Sequence, residues 1–373
     1  MRLTAENLAP LRLARYELLL RAQAEASLPP FLGSALRGAL GHSLKAIACS
    51  VPHGECGRCL LVDRCLYPRL FETSARNSIS QNNNSTLLRR SQDAPRPFIF
   101  IPPSLANEDG SLRARDDLLL RRVRVRSGDS IAVGLTLIGE AIDELPYFVY
   151  AISLMARRGL GAERTPFALE LVSALGAEGT RRVVFGNDLD HVIAHPECLT
   201  SLGQLVEMRL RELTRQTTPV SLAQAAVASA SATARGSESV PIKLTLRFLT
   251  PTRMRIKGRL LETPTFEQLL ISLSLRLSML AETYATAPIV YDYKGMIEQA
   301  REVRTTDSSL RLMALDRFSN RQAGKLNLDG FMGNISFAGE SLKQLLPLLV
   351  AGQFLNLGSG TAFGLGRYVI VSP

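Results

Sequence analysis

The apolar pattern changes period several times along this chain. Residues 11–22, LRLARYELLLRA, alternate loosely between apolar and polar, a period-two signal that predicts a first strand. A Pro-Pro pair breaks it. From Ser34 to about Cys49, Leu36, Leu40, Leu44 and Ile47 then recur at helical spacing, with Ser34 as the expected N-cap. His42 and Lys45 fall off that stripe, so both are expected on the exposed side of the helix. Residues 73–95 carry little apolar content and predict a mobile polar loop. Strands are predicted at 97–103 and 129–139, the second with Ile131, Val133, Leu135 and Leu137 on one face. A helix over 144–161 ends at Gly159 or Gly161, and strands follow at 167–175 and 181–186. The resulting order, β-α-insert-β-β-α-β-β, fits a ferredoxin-like sheet with helices on one face.

An Ala/Ser-rich stretch, 221–239, reads as a linker. It separates a first domain, 1–220, from a second, 240–373. The second repeats the plan: a strand or hairpin within 240–261, a helix at 265–285, a strand at 331–339, a helix at 341–355, and a last strand after a glycine-rich loop. The expected fold class is α+β, with tandem ferredoxin-like (RRM-like, βαββαβ) domains and a four-cysteine insertion, 49–65, after the first helix.

Composition narrows the function. Apolar content of 46% allows two cores. No run of eighteen uncharged apolar residues predicts a membrane span, and the first twenty residues lack a secretory pattern, so a cytoplasmic protein with reduced cysteines is expected. The net charge is +10, and arginine outnumbers lysine. Guanidinium forks match phosphate oxygens, which suits nucleic acid. Tryptophan is absent and aromatics are few, so broad base-stacking platforms are not the expected binding mode.

Four glycines, Gly358, Gly360, Gly364 and Gly366, are spaced G-x-G-x-x-x-G-x-G, with Ser359, Thr361 and Arg367 among them. The spacing matches neither a dinucleotide nor a Walker loop, and a strand follows it rather than a helix. It reads as a phosphate-lined contact or, more plainly, as a tight turn. Four of the five cysteines, Cys49, Cys56, Cys59 and Cys65, are spaced C-x6-C-x2-C-x5-C, which points to a closed structural zinc site and not to a catalytic metal; His53 is a spare ligand. His191, His195 and Cys198 lie in what reads as a polar loop. Arg317, Arg321 and Lys325 form a basic helix face or a basic finger within 317–330. Asp116-Asp117 reads as a turn, and no hydrolase carboxylate pair or G-x-S-x-G is present.

Three stretches together resemble one family: PPFLGSALRGALGHSLKAIAC…CGRCLLVDRCLYPRLFE, LTLIGEAIDELPYFVYAISLMARRGLG, and SNRQ…LDGFMGNISFAG…LLPLLVAGQFLNLGSGTAFGLGRYVI. They resemble the CRISPR-associated endoribonucleases of the RAMP superfamily that process precursor CRISPR RNA, the sixth Cas family, in a cysteine-containing branch. The resemblance implies tandem ferredoxin-like domains, CRISPR repeat RNA as substrate, other CRISPR effector subunits as partners, and metal-independent cleavage. In such a cut the RNA 2′-OH attacks the adjacent phosphate and leaves a 2′,3′-cyclic phosphate and a 5′-OH. The family's usual histidine on or near the first helix matches His42, with Lys45, then Arg37, as the cation beside it. The alternative within the resemblance is a subunit that binds CRISPR RNA without cutting it.

Overall fold

The computed structural model describes residues 2–29, 31–51, 56–73, 94–105, 123–186, 189, 191–228, 242–319 and 324–371. The polar loop foreseen over 73–95, with Asp116-Asp117 and His53, falls almost wholly outside these residues.

In the first half, β1 (Arg12–Ala22) and β2 (Ala26–Leu28) precede α1 (Gly33–Ala48) and the short α2 (Leu66–Leu70). Then come β3 (Phe98–Leu105), β4 (Val123–Val125), β5 (Ser130–Ile138), α3 (Leu145–Arg158), β6 (Phe167–Leu175), β7 (Arg181–Gly186), β8 (Thr200–Ser201) and α4 (Leu202–Ala228). The antiparallel sheet runs β3-β5-β1-β6-β7. Counting β1, β3, β5 and β6 as strands one to four gives the order 2-3-1-4 of a ferredoxin-like unit, with β7 added at one edge. At that edge the Arg181 guanidinium pairs with the buried carboxylate of Glu17.

The second half holds β9 (Lys243–Thr252), β10 (Arg255–Ile256), β11 (Arg259–Leu260), α5 (Phe266–Tyr284) and α6 (Tyr293–Glu302). It continues with β12 (Arg304–Ser308), β13 (Arg311–Met313), β14 (Asp316–Ser319), β15 (Gly324–Asn327), β16 (Gly330–Ala338), α7 (Leu342–Leu355) and β17 (Tyr368–Val371). Its sheet, β12-β16-β9-β17, repeats the order 2-3-1-4. α5 starts where sequence dictates. Thr265 accepts from the Gln268 N–H, and the Gln268 side chain accepts in return from the Thr265 N–H, a complete capping box.

Strand alternation assigns the two faces of β1 to two cores. Ala14, Tyr16, Leu18 and Leu20 join α1 and α3 in the first. Leu11 and Leu13 join Ile99, Ile138 and the second half's Leu246, Phe248, Leu345 and Ile370 in the other. The two units therefore share one core. Polar bonds cross the same boundary: Tyr284 donates to the Pro95 carbonyl at 2.6 Å, the Thr286 N–H to Pro10 at 3.0 Å, and Arg209 to Ile370 at 3.2 Å.

Two local expectations change. Ser34 is buried and makes no capping bond; α1 begins two residues earlier, after Leu32. The stretch assigned to a linker, 221–239, opens as helix, because α4 runs on to Ala228; residues 229–239 lie outside the described ones.

Candidate functional site

The glycine-rich loop closes on the first helix. α7 ends at Asn356, held at positive φ, whose side-chain amide donates to the Leu365 carbonyl at 3.0 Å. The chain then forms a short 3₁₀ turn, Thr361–Phe363. A Cβ placed on Gly33 would collide with the Phe363 carbonyl oxygen, so only glycine lets the start of α1 come this close. Gly366 (φ 74°) meets the Leu357 carbonyl in the same way. Phe31, Leu328 and Leu365 form a small apolar cluster beside this contact.

Much of the loop's hydrogen bonding is internal. The Ser359 N–H donates to Arg253 at 2.9 Å, the Gly364 N–H to Thr361 at 2.8 Å and the Gly366 N–H to Pro251 at 3.0 Å. The Arg367 N–H donates to the Thr250 hydroxyl at 2.9 Å. Thr361, Gly364 and Gly366 are buried, Gly358, Gly360 and Arg367 half-buried, and Ser359 exposed. Those bonds and that burial make the loop more a clasp than an open phosphate cradle. Ser359 is the member left on the surface.

His42 is exposed on α1, as its place off the apolar stripe predicts, and Lys45 lies half-buried one turn further on. The Lys45 ammonium stands 5.8 Å from the centre of the Tyr67 ring. The Arg37 guanidinium lies 4.0 Å from the Phe71 ring centre and 5.5 Å from that of Phe363, between α2's end and the glycine loop. Arg37 thus ties α1 to both neighbours. Sequence spacing marked the cation but not the rings beneath it. Gly41 is buried against the Phe71 ring, which a side chain there would strike.

The basic finger is a hairpin and not a helix: β14 pairs with β15 in the register Arg317 to Leu326 and Phe318 to Lys325. Arg321 lies outside the described residues. A second basic element escaped the sequence reading. Arg255, Lys257 and Arg259 are exposed on the β10–β11 hairpin. The segment RMRIKGR, with a cation at every second position from 253 to 259, was the available signal. Arg253 knits these parts together. Its carbonyl holds the Ser359 N–H, and its guanidinium donates to the Asp329 carbonyl at 3.1 Å. Asp329 in turn accepts from the Leu315 N–H, beside the finger's base, at 2.9 Å. Burial, then the neighbouring Arg255, lowers the Arg253 pKa from its ordinary value.

Cys49, Cys56, Cys59 and Cys65 line one cavity of about 620 Å³. Among the described residues no three His, Cys, Asp or Glu side chains are grouped closely enough to hold a metal ion. Burial, then Glu72, pushes the Cys56 thiol up. His195 is bound to Glu197 (3.2 Å) and the Val183 carbonyl (2.9 Å), His191 is exposed and Cys198 sits in the first core, so these three form no site.

Residues 246–368 match the family model of the CRISPR-associated endoribonuclease Cas6, and residues 11–197 match that of the AF_1859_N N-terminal domain. An uncharacterized protein of Archaeoglobus fulgidus is 24% identical over 351 residues, covering 92% of this chain and 93% of its own. A partial Cas6-RT-Cas1–Cas2 complex superposes with a TM-score of 0.53 at 14% identity, over 97% of this chain and 46% of that one. The Cas6-RT-Cas1–Cas2 complex superposes with the same score over 29% of its chain. The chain spans less than half the length of these two structural neighbours. Tandem ferredoxin-like units closed by a glycine clasp, with these matches, define a RAMP-like CRISPR-associated protein. Residues 246–368 form a Cas6 domain, and residues 11–197, half of the chain, belong to the AF_1859_N family. The Cas6 domain gives the chain a part in handling CRISPR RNA, by processing or by binding. Among the described residues no helix is long and apolar enough to cross a membrane.

Proposed function

We propose that this protein is an endoribonuclease that cuts precursor CRISPR RNA within its repeats without a catalytic metal. The observation that carries the reading is the exposed His42, on the helix whose start the glycine clasp of the Cas6 domain holds. The RNA supplies its own nucleophile. The 2′-OH upstream of the scissile phosphate attacks phosphorus, and the P–O5′ bond breaks. The products are a 2′,3′-cyclic phosphate and a 5′-OH. His42 takes the 2′-OH proton or delivers one to the leaving oxygen. Lys45 offsets the charge that grows on the phosphorane. Arg37, held on its rings, positions the helix and is second in line as the cation.

RNA reaches the site over Ser359 and Arg367 of the clasp, the basic finger (Arg317, Arg321, Lys325) and the β10–β11 hairpin. Other CRISPR proteins are the natural partners, since the neighbouring folds come from complexes with Cas1 and Cas2.

The test is incubation of purified protein with CRISPR repeat RNA in the presence of EDTA. Cleavage to a cyclic phosphate is expected, and a 2′-deoxy residue just upstream of the cut should abolish it. Tight binding of repeat RNA with no cutting of any of it would replace this reading with the binding-only one.

A further inference from the structure

The segment from Cys49 to Cys65 has no core of its own. Among its described residues every side chain is exposed except five, the four cysteines and Val62. Leu60 is fully exposed and Leu61 and Val51 about half so. Cys56 and Cys65 touch the edge of the first core, but with its leucines left in water the segment gains little from apolar burial.

The backbone explains how the thiols come to share one side. The Cys59 N–H donates to the Cys56 carbonyl at 3.2 Å and the Val62 N–H to the Cys59 carbonyl at 3.2 Å. The Cys65 N–H then donates to Leu61 at 2.9 Å. These are turns of three and four residues, and in three-residue turns side chains at i and i+3 eclipse. The three-residue turns bring Cys56, Cys59 and Val62 to one side of the segment, and Cys65 lines the same cavity. Cys49, which follows α1 as its C-cap, lines the same cavity, and Cys65 is the N-cap of α2.

We propose that Cys49, Cys56, Cys59 and Cys65 bind one zinc ion, which staples the end of α1 to the start of α2. The donor set fits. Four sulfurs suit a soft, tetrahedral, closed site, and a small segment without a core takes its folding energy from such an ion. The sulfurs surround one space without meeting in it, so binding draws them together. Each S–H that becomes a Zn–S bond releases its proton to solvent. All four positions are then filled and the ion has no place for substrate. Such a staple stands whether or not the protein cuts RNA.

The test is elemental analysis of the full chain, purified under reducing conditions without added metal. About one zinc per chain is expected, released to a chromophoric chelator when a mercurial caps the thiols. Cobalt exchanged into the site should show intense thiolate-to-metal charge transfer and tetrahedral d–d bands. Cys59→Ser should lose the metal or hold it far more weakly, while Cys198→Ser, remote in the first core, should keep it. Should Cys59→Ser fail to fold, the cobalt spectrum of the unaltered protein still decides. Four titratable thiols with no metal and no cobalt charge transfer would overturn the proposal. So would disulfides among the four, or iron in place of zinc.

Discussion

At the residue scale the proposed chemistry turns on His42. Replacing it with alanine should slow single-turnover cleavage by roughly 10²–10⁴-fold, the usual share of general acid–base catalysis, and leave RNA affinity nearly unchanged. An unchanged rate, with the 2′-deoxy substrate still resistant, would move the proton transfer to another group. Lys45→Ala should cost about 10²–10³-fold if its charge meets the phosphorane, again in rate and not in affinity. Arg37 separates what sequence could and could not tell. Its spacing from His42 was legible, and so was its charge. The rings of Phe71 and Phe363 were not, because one follows a long insertion and the other comes from the far half of the chain. A cation held on aromatic faces contributes about 0.5–2 kcal/mol, so Arg37→Met should lower stability as well as rate.

At the scale of elements, α1 needs glycine inside a helix. Alanine is ordinarily better there by about 1 kcal/mol. At Gly41, however, a methyl would drive into the Phe71 ring, and overpacking costs about 1–3 kcal/mol. The clash outweighs the propensity, so Gly41→Ala should be destabilising, which denaturant unfolding can read. Gly33→Ala should be worse, since a backbone carbonyl yields less easily than a ring. A stabilised variant at either site would show that α1 does not pack as described. The elements legible in advance were those with a strong period: α1, β5, α3, α5 and α7. α4 was missed because Ala and Ser dominate its end, and no apolar stripe marks the run to Ala228. β2 and β4 were missed because each is only three residues long. β12 went unread because all of its side chains are exposed, which leaves no apolar alternation to see.

At the scale of the whole molecule, the doubled ferredoxin-like plan was legible from element order alone. The shared core was not, because nothing in the alternation of β1 says which partner covers its second face. The consequence is mechanical unity. Unfolding followed by circular dichroism and by intrinsic tyrosine fluorescence should give one coincident transition, whereas two separate ones would mean independent domains. A chain cut between Ala228 and Ile242 and expressed as two pieces should copurify as a complex, held by Leu11, Leu13, Ile99 and Ile138 against the second half's core. The proposed RNA path belongs to this scale too. Neutralising Arg255, Lys257 and Arg259 together should weaken RNA binding and reduce the salt slope by roughly 0.7 for each single-strand phosphate that these cations neutralise. An unchanged slope would remove the β10–β11 hairpin from the RNA path.

The fit of Gly33 beneath Phe363 also sets an order of events during synthesis. The ribosome adds roughly 5–20 residues per second, so α1 leaves it about 15–65 s before the clasp that holds its first turn. Through that interval one face of β1 has no cover, and His42 rides on a helix with a loose end. A nascent chain of this protein is therefore exposed to chaperones and to wrong partners, and the proposed site is complete only after the glycine loop has emerged and β17 has paired with β9.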